Sequence, residues 1–206
     1  MKPRHATSAP RSLFLPRQSA WLLLALGTIA MPTRGAAQTP LSVVSTGQSP
    51  HAESAIRWGH AEAELDWPVE AIAAVLEDYE GYAAFMPKFQ RSKVIAARGS
   101  RARVYMEVSA AGGALTFWGQ LELTRDAADD GTEHAIEARL LDGNIDAFSA
   151  EWRLRPSEDG KGSIVEFRIF VDPDLPLPSS LISRENERAA RRSVEALAQK
   201  MTEVSP

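Results

Sequence analysis

Four histidines are the first candidates for chemistry in this 206-residue chain: His5, His51, His60 and His134. No H-x-x-x-H pair and no His/carboxylate spacing of the kind that builds a zinc site is present. Cysteine is absent, which removes disulfides, thiolate metal sites, a cysteine nucleophile and a lipid anchor built on cysteine. His60 and His134 therefore read as exposed strand histidines, and neither a metal nor another cofactor is expected. Serine offers little more. There is no G-x-S-x-G elbow, and Ser109 and Ser149 have no base close in sequence. Gly112-Gly113 and Gly160–Gly162 read as turn glycines, because no phosphate-binding helix follows them. Asp142, Asn144 and Asp146 in the stretch DGNID could stand at a cavity mouth. They lack the spacing and the bidentate glutamate of an EF-hand, so the stretch reads as a plain turn.

The elements that would position these groups follow from periodicity. Ile56–Asp66 alternates as a half-buried strand with Ala61, Ala63 and Leu65 on one side. Pro68–Tyr79 carries Val69, Ile72, Val75 and Leu76 at helical spacing, and Tyr82–Phe85 makes a second short helix stopped by Pro87. From there the period is two. Strands are expected at 92–97, 101–110, 114–125, 134–141, 147–155 and 162–172, with turns at Gly99-Ser100, Gly112-Gly113, Asp129-Asp130-Gly131 and Glu158-Asp159-Gly160. Outer positions alternate in charge, as in Glu151–Arg153 and Glu166–Arg168, which suits one wet face of an antiparallel sheet. The proline-rich stretch 173–178 is a rigid loop. Ser179–Val204 is the longest helix, opened by the capping patterns Ser180–Ser183 and Ser183–Asn186. Its apolar stripe is Ile182, Ala189 or Ala190, Val194, Leu197 and Met201. Arg184, Arg188, Arg191 and Arg192 form the opposite flank, read as a solvated face, with contact to anionic headgroups as the lesser alternative.

The long helix must bury its stripe, and the sheet has one apolar face to offer. A curved antiparallel sheet wrapped around the C-terminal helix satisfies both and can leave a cavity between them. The inward positions of the five strands from 101–110 to 162–172 hold no titratable residue. General acid–base work needs such a group in reach of the substrate, so these walls favour holding an apolar molecule over transforming one.

Composition agrees with a globular domain: 44% of residues are hydrophobic and 24% charged. Residues 1–37 carry Lys2, Arg4, Arg11, Arg17 and Arg34 and no acid. Without those five, 18 of the 23 basic side chains remain against 27 acidic ones, a net −9; no basic footprint for nucleic acid is left. The run Ala20–Met31 is too short to span a bilayer. With the basic start and the small residues Gly35-Ala36-Ala37 it reads as a secretory signal peptide cleaved near Ala37, hence a periplasmic or secreted protein. Residues 38–54 read as a flexible leader and 55–204 as the domain.

Three stretches carry a family resemblance. Trp67-Pro68-Val69-Glu70-Ala71-Ile72, the segment Asp78–Pro87 (DYEGYAAFMP) and the junction from Val171-Asp172-Pro173 to Leu177-Pro178 resemble the START-like, or SRPBCC, superfamily, in its polyketide cyclase/dehydrase and coenzyme-Q-binding branch. The resemblance implies an α+β helix-grip fold, a curved antiparallel β-sheet around a long C-terminal α-helix. It also implies a cavity whose opening borders Tyr82, Phe85 and Met86, an apolar lip suited to transient membrane contact. The expected ligand-binding residues are Phe85 and Met86; Val104, Met106 and Val108; Leu115, Phe117 and Leu121; Ile136, Ala138 and Leu140; Phe148 and Trp152; Phe167 and Ile169; and Ile182, Asn186 and Ala190 of the helix. Trp118 falls on the nominally wet face unless a bulge shifts the phase. The expected function is non-catalytic binding of a hydrophobic small molecule, such as a lipid or isoprenoid quinone. Two alternatives stand beside it: an aromatase/cyclase-type enzyme, which needs polar groups converging inside the pocket, and an interaction module with a closed cavity.

Overall fold

The computed structural model describes residues 45–127 and 133–204. The expected signal segment lies outside them. One sheet of eight strands organises the domain: β1 Ser45–Ser49, β2 Trp58–Leu65, β3 Phe89–Arg98, β4 Arg101–Ala110, β5 Leu115–Ala127, β6 His134–Gly143, β7 Ala147–Pro156 and β8 Ser163–Asp172. The spatial order is β1-β2-β8-β7-β6-β5-β4-β3, and every neighbouring pair is antiparallel. β3 to β8 form a meander. The link from β2 to β3 carries the chain across the sheet through α1 (Val69–Glu77), a 3-10 turn (Tyr79–Gly81) and α2 (Tyr82–Phe85). The last element is α3, Ser179–Val204. This is the α+β helix-grip architecture expected above.

The differences from the expected elements have physical causes. Ser45–Ser49 falls inside the stretch read as a leader, yet it pairs with β2 from Ser45↔Glu62 to Ser49↔Trp58. Its residues STGQS show no apolar alternation because it is an edge strand. His51 just beyond it stacks on Phe170 at 4.1 Å. β3 begins at Phe89 rather than 92 and is interrupted twice, since its register with β4 slips past Gln90 and past Ile95. A third slip, between β5 and β6, leaves Leu141 without an opposite residue. Each extra residue bends its strand and turns a side chain out of phase. That is why Ile95 and Leu141 are both exposed although they lie in apolar strands.

The concave face is filled at one end only. The second half of α3 presses Val194, Leu197 and Met201 into a core shared with Ile72 and Leu76 of α1 and with Val104, Leu123, Leu154 and Val165 of the sheet. α3 lies directly on β2: a Cβ added at Gly59 would stand 2.1 Å from the carbonyl carbon of Asn186. Side-chain bonds pin the start of the helix. The Ser183 hydroxyl accepts from Arg57 N at 2.9 Å and donates to Ser179 O at 2.7 Å. The capping role expected of Ser183 is thus replaced by a bond to the carbonyl four residues back.

Candidate functional site: a cavity beneath the last helix

Beneath the first half of α3 the sheet is not covered by side chains, and a cavity of about 780 Å³ remains. That lies in the upper part of the usual range for small-molecule sites, roughly 300–1,000 Å³. The room comes from small residues: Gly119, Ala138 and Ala150 on the sheet and Ala189 and Ser193 on the helix all line it. Its depth is apolar. Trp152 and Phe167, opposite each other in register, stack at 4.0 Å and line it with Phe148, Ile136 and Leu121.

Of the expected ligand-binding residues, all line the cavity except Phe85, Val104, Leu140 and Ala190. Val104 and Ala190 are wholly buried in the core, away from the hollow. Its neighbour Ala189 lines the cavity instead, so the helical phase left open in the sequence resolves by one residue. Leu140 sits beside the Leu141 bulge, with its Cδ1 3.0 Å from where a Cβ on Gly119 would be. Phe85 packs edge-on against Tyr82 at 5.7 Å.

Of the expected apolar lip at Tyr82–Met86, only the small side chains of Ala83 and Ala84 are exposed, with Phe85 half-buried. Tyr82 and Met86 are buried, and Tyr82 is the hub of edge-to-face contacts with Tyr79, Phe85 and Phe89. Burial, then the charges around Tyr79, Asp78 and Glu77, push its pKa up. The exposed rim comes from elsewhere: Leu115 at the β4–β5 turn and Leu177 and Leu181 around the start of α3 line the cavity and are exposed. Sequence periodicity misses Leu177 because it sits in the proline-rich loop, where no period exists.

Polar groups at the cavity are few. Asn186 is buried, but its amide donates to Arg57 O at 3.1 Å and Val171 O at 3.4 Å. The Tyr82 hydroxyl donates to Leu76 O at 2.6 Å. Both are spent on backbone carbonyls. Strands contribute no charged group to the lining, as expected; the charged residues that line it are Lys88, before β3, and Glu185 and Arg192 of α3. Arg192, expected on the solvated flank, borders the cavity. Glu185 receives Arg188 Nη1 at 2.5 Å and stands 3.5 Å from Arg192 Nη2. Burial raises the Glu185 pKa, but the Arg188 bond and the charges of Arg188, Arg192 and Lys88 outweigh it and hold the carboxyl below its ordinary value.

The remaining candidates are structural. Asn144 does not face the cavity: its side-chain amide accepts from Trp118 N at 2.7 Å and donates to Thr116 O at 3.0 Å, standing in for a strand neighbour at the end of β5. Trp118 stacks its ring on Tyr105 at 6.1 Å on the outer face, yet the residue also borders the cavity. His134, expected to be exposed, is largely buried, with Nε2 3.2 Å from Glu77 Oε1, and Glu77 also pairs with Arg125. Among the described residues no cluster of His, Asp or Glu is arranged to hold a metal ion.

Comparison with known proteins agrees with this geometry. A family model described as polyketide cyclase / dehydrase and lipid transport matches residues 65–198. No curated protein matches the sequence. Among solved structures, a STAR-related lipid transfer protein from Xanthomonas axonopodis is 18% identical with a TM-score of 0.66, over 77% of this chain and 98% of that one. Human StAR-related lipid transfer protein 5 is 12% identical at 0.65, over 78% and 82%. A START superfamily protein from Mycobacterium smegmatis is 14% identical at 0.59, over 72% and 99%. At these identities the likeness is one of fold.

Proposed function

Because this chain belongs to the polyketide cyclase/dehydrase and lipid transport family, within the START-like superfamily, we propose that it binds and carries a hydrophobic small molecule without transforming it. A lipid or an isoprenoid quinone has the required chemistry. The observation that carries this reading is the cavity of about 780 Å³ with walls of aliphatic and aromatic side chains. A ligand there gains about 25 cal/mol for each Å² of apolar surface removed from water, with little directional bonding to restrict its identity. The cyclase alternative asks for polar groups converging on a reacting carbonyl, and the two buried ones, Tyr82 and Asn186, are engaged with the backbone. The closed interaction module is disfavoured by the open hollow. The basic and apolar pattern of residues 1–37 supports export, so the carrier would work outside the cytoplasm, and N-terminal sequencing of the extracytoplasmic protein should begin near Gln38.

Native mass spectrometry of the gently purified protein should show an extractable apolar adduct. Ala189→Phe places a ring in the hollow from a residue that already lines it, and should remove the adduct while leaving the circular dichroism spectrum intact. An empty wild-type protein that also takes up no lipid or quinone from mixed micelles would end this proposal.

A further inference from the structure

The cavity is apolar in depth, yet every charged residue that lines it belongs to one group, Lys88, Glu185 and Arg192. Within that group positive charge is in excess. Glu185 already shares its carboxylate between Arg188 and Arg192, while Lys88 has no ion pair among the described residues. The backbone holds Lys88 in place at a cost: it is left-handed, with φ 67°, a region that a side chain with a Cβ rarely adopts. Its carbonyl accepts from Ser109 N at 2.8 Å, which fastens the turn to the end of β4. Ala111, across the same opening, is also left-handed at φ 48° and also lines the cavity. A third such residue, Asp174 at φ 50°, lies between the lining residues Pro173 and Leu175. Strained residues that persist around an opening are held there by the surrounding structure. Three further acids lie on or beside the neighbouring loops. Asp146, Asp172 and Asp174 crowd one another near the β6–β7 and β8–α3 connections, and loss of hydration, then Asp174 and Asp172, raise the Asp146 pKa. None of the three is among the residues that line the cavity.

We infer that the ligand is an amphiphile with an anionic head, a carboxylate or a comparably small acid, seated between Lys88 and Arg192 while its tail fills the cavity. This rests on the carrier reading above and names the ligand class. Beside an apolar wall, with water partly excluded, attraction between unlike charges is stronger than in open solution. An incoming carboxylate takes Arg192 over from Glu185, its longer and weaker partner, and gives Lys88, which acts on Glu185 only through space, a direct ion pair.

The test compares oleate with oleyl alcohol, which share a tail and differ in head charge, by displacement of an environment-sensitive fluorescent probe at low ionic strength. The wild-type protein should prefer oleate by about tenfold or more, the range of a hydrogen bond to a charged group. In the double variant Lys88→Ala/Arg192→Met the ratio should fall toward one. Glu185→Gln removes the internal competitor and should raise the ratio, a direction that general damage to the fold does not produce. Equal binding of the two ligands by the wild type, or an unchanged ratio in the double variant, overturns the anionic head and leaves the carrier reading standing. Failure to bind either ligand overturns the anionic head, and the carrier reading falls with it when quinone and phospholipid also fail to displace the probe.

Discussion

Two tyrosines nine-tenths or more removed from solvent differ in what burial costs them. Tyr79 and Tyr82 are 6% and 5% exposed. The Tyr82 hydroxyl has its acceptor in Leu76 O, whereas the Tyr79 hydroxyl is buried with no partner. Burial first, then the Glu77 charge, and against these the opposing Arg125 charge, leave the Tyr79 pKa at about 12. The unfolded chain ionises near the ordinary value of about 10. Between those values the unfolded state has lost a proton that the native state keeps, so stability must fall as pH rises through that window; below it Tyr79 adds no pH dependence. Tyr79→Phe deletes an unsatisfied donor and is expected to be neutral or slightly stabilising at pH 7. Urea midpoints taken from pH 9 to 12 should fall less steeply in the variant, though Tyr82 keeps part of the slope. Parallel slopes for variant and wild type would show that Tyr79 is not the group responsible.

At the level of elements, period-two alternation located seven of the eight strands and the 3.6-residue stripe located the long helix, because both reflect a single buried face. What escaped was whatever breaks the period. The bulges at Gln90, Ile95 and Leu141 have no mark in residue type, since Ile95 and Leu141 are as apolar as their neighbours and Gln90 is as polar as the Arg91 after it. β1 escaped because an edge strand need not alternate. Arg192 and Glu185 escaped because strand alternation reports only the sheet's side of the cavity, while α3 carries a second stripe (Leu181, Glu185, Ala189, Arg192) facing the hollow beside its buried one. The helix–sheet distance was also hidden, although its agent is a single glycine. At Gly59 the helix backbone comes so near that an added Cβ meets Asn186 O and Glu187 N at 2.3 Å. Neither of those atoms can rotate away, so Gly59→Ala must lift α3 from β2. A loss of about 3 kcal/mol or more is expected, read from chemical denaturation, together with weaker uptake of an apolar probe as the cavity roof shifts. A fully stable Gly59→Ala protein would mean the helix can slide without consequence.

For the molecule as a whole, the question is how an apolar guest leaves a membrane for a hollow that faces water. No helix among the described residues is long and apolar enough to cross a bilayer; under the carrier proposal, loading from a membrane is expected to take place at the exposed rim of the cavity. Beyond residue 37 the chain carries the net −9 derived above, which repels an anionic surface in general and makes any attraction local. The rim supplies both terms. Leu115, Leu177 and Leu181 are exposed and open directly onto the cavity, and each contributes roughly 1.5–3 kcal/mol if it enters the acyl region. Lys88, with Arg184, Arg188 and Arg192 of α3, provides cations worth about 1 kcal/mol each near anionic lipid. Sedimentation with phosphatidylcholine vesicles should therefore be weak and should strengthen when phosphatidylglycerol is added. Added salt should weaken it again, because charges more than about 10 Å from their partners are screened at 0.1 M. Leu177→Ser/Leu181→Ser should abolish vesicle binding without closing the cavity, so an apolar probe supplied in solution should still bind while its extraction from vesicles slows. If the double serine variant extracts the probe from vesicles as fast as the wild type, loading proceeds through free ligand in water, and the exposed leucines have no part in it.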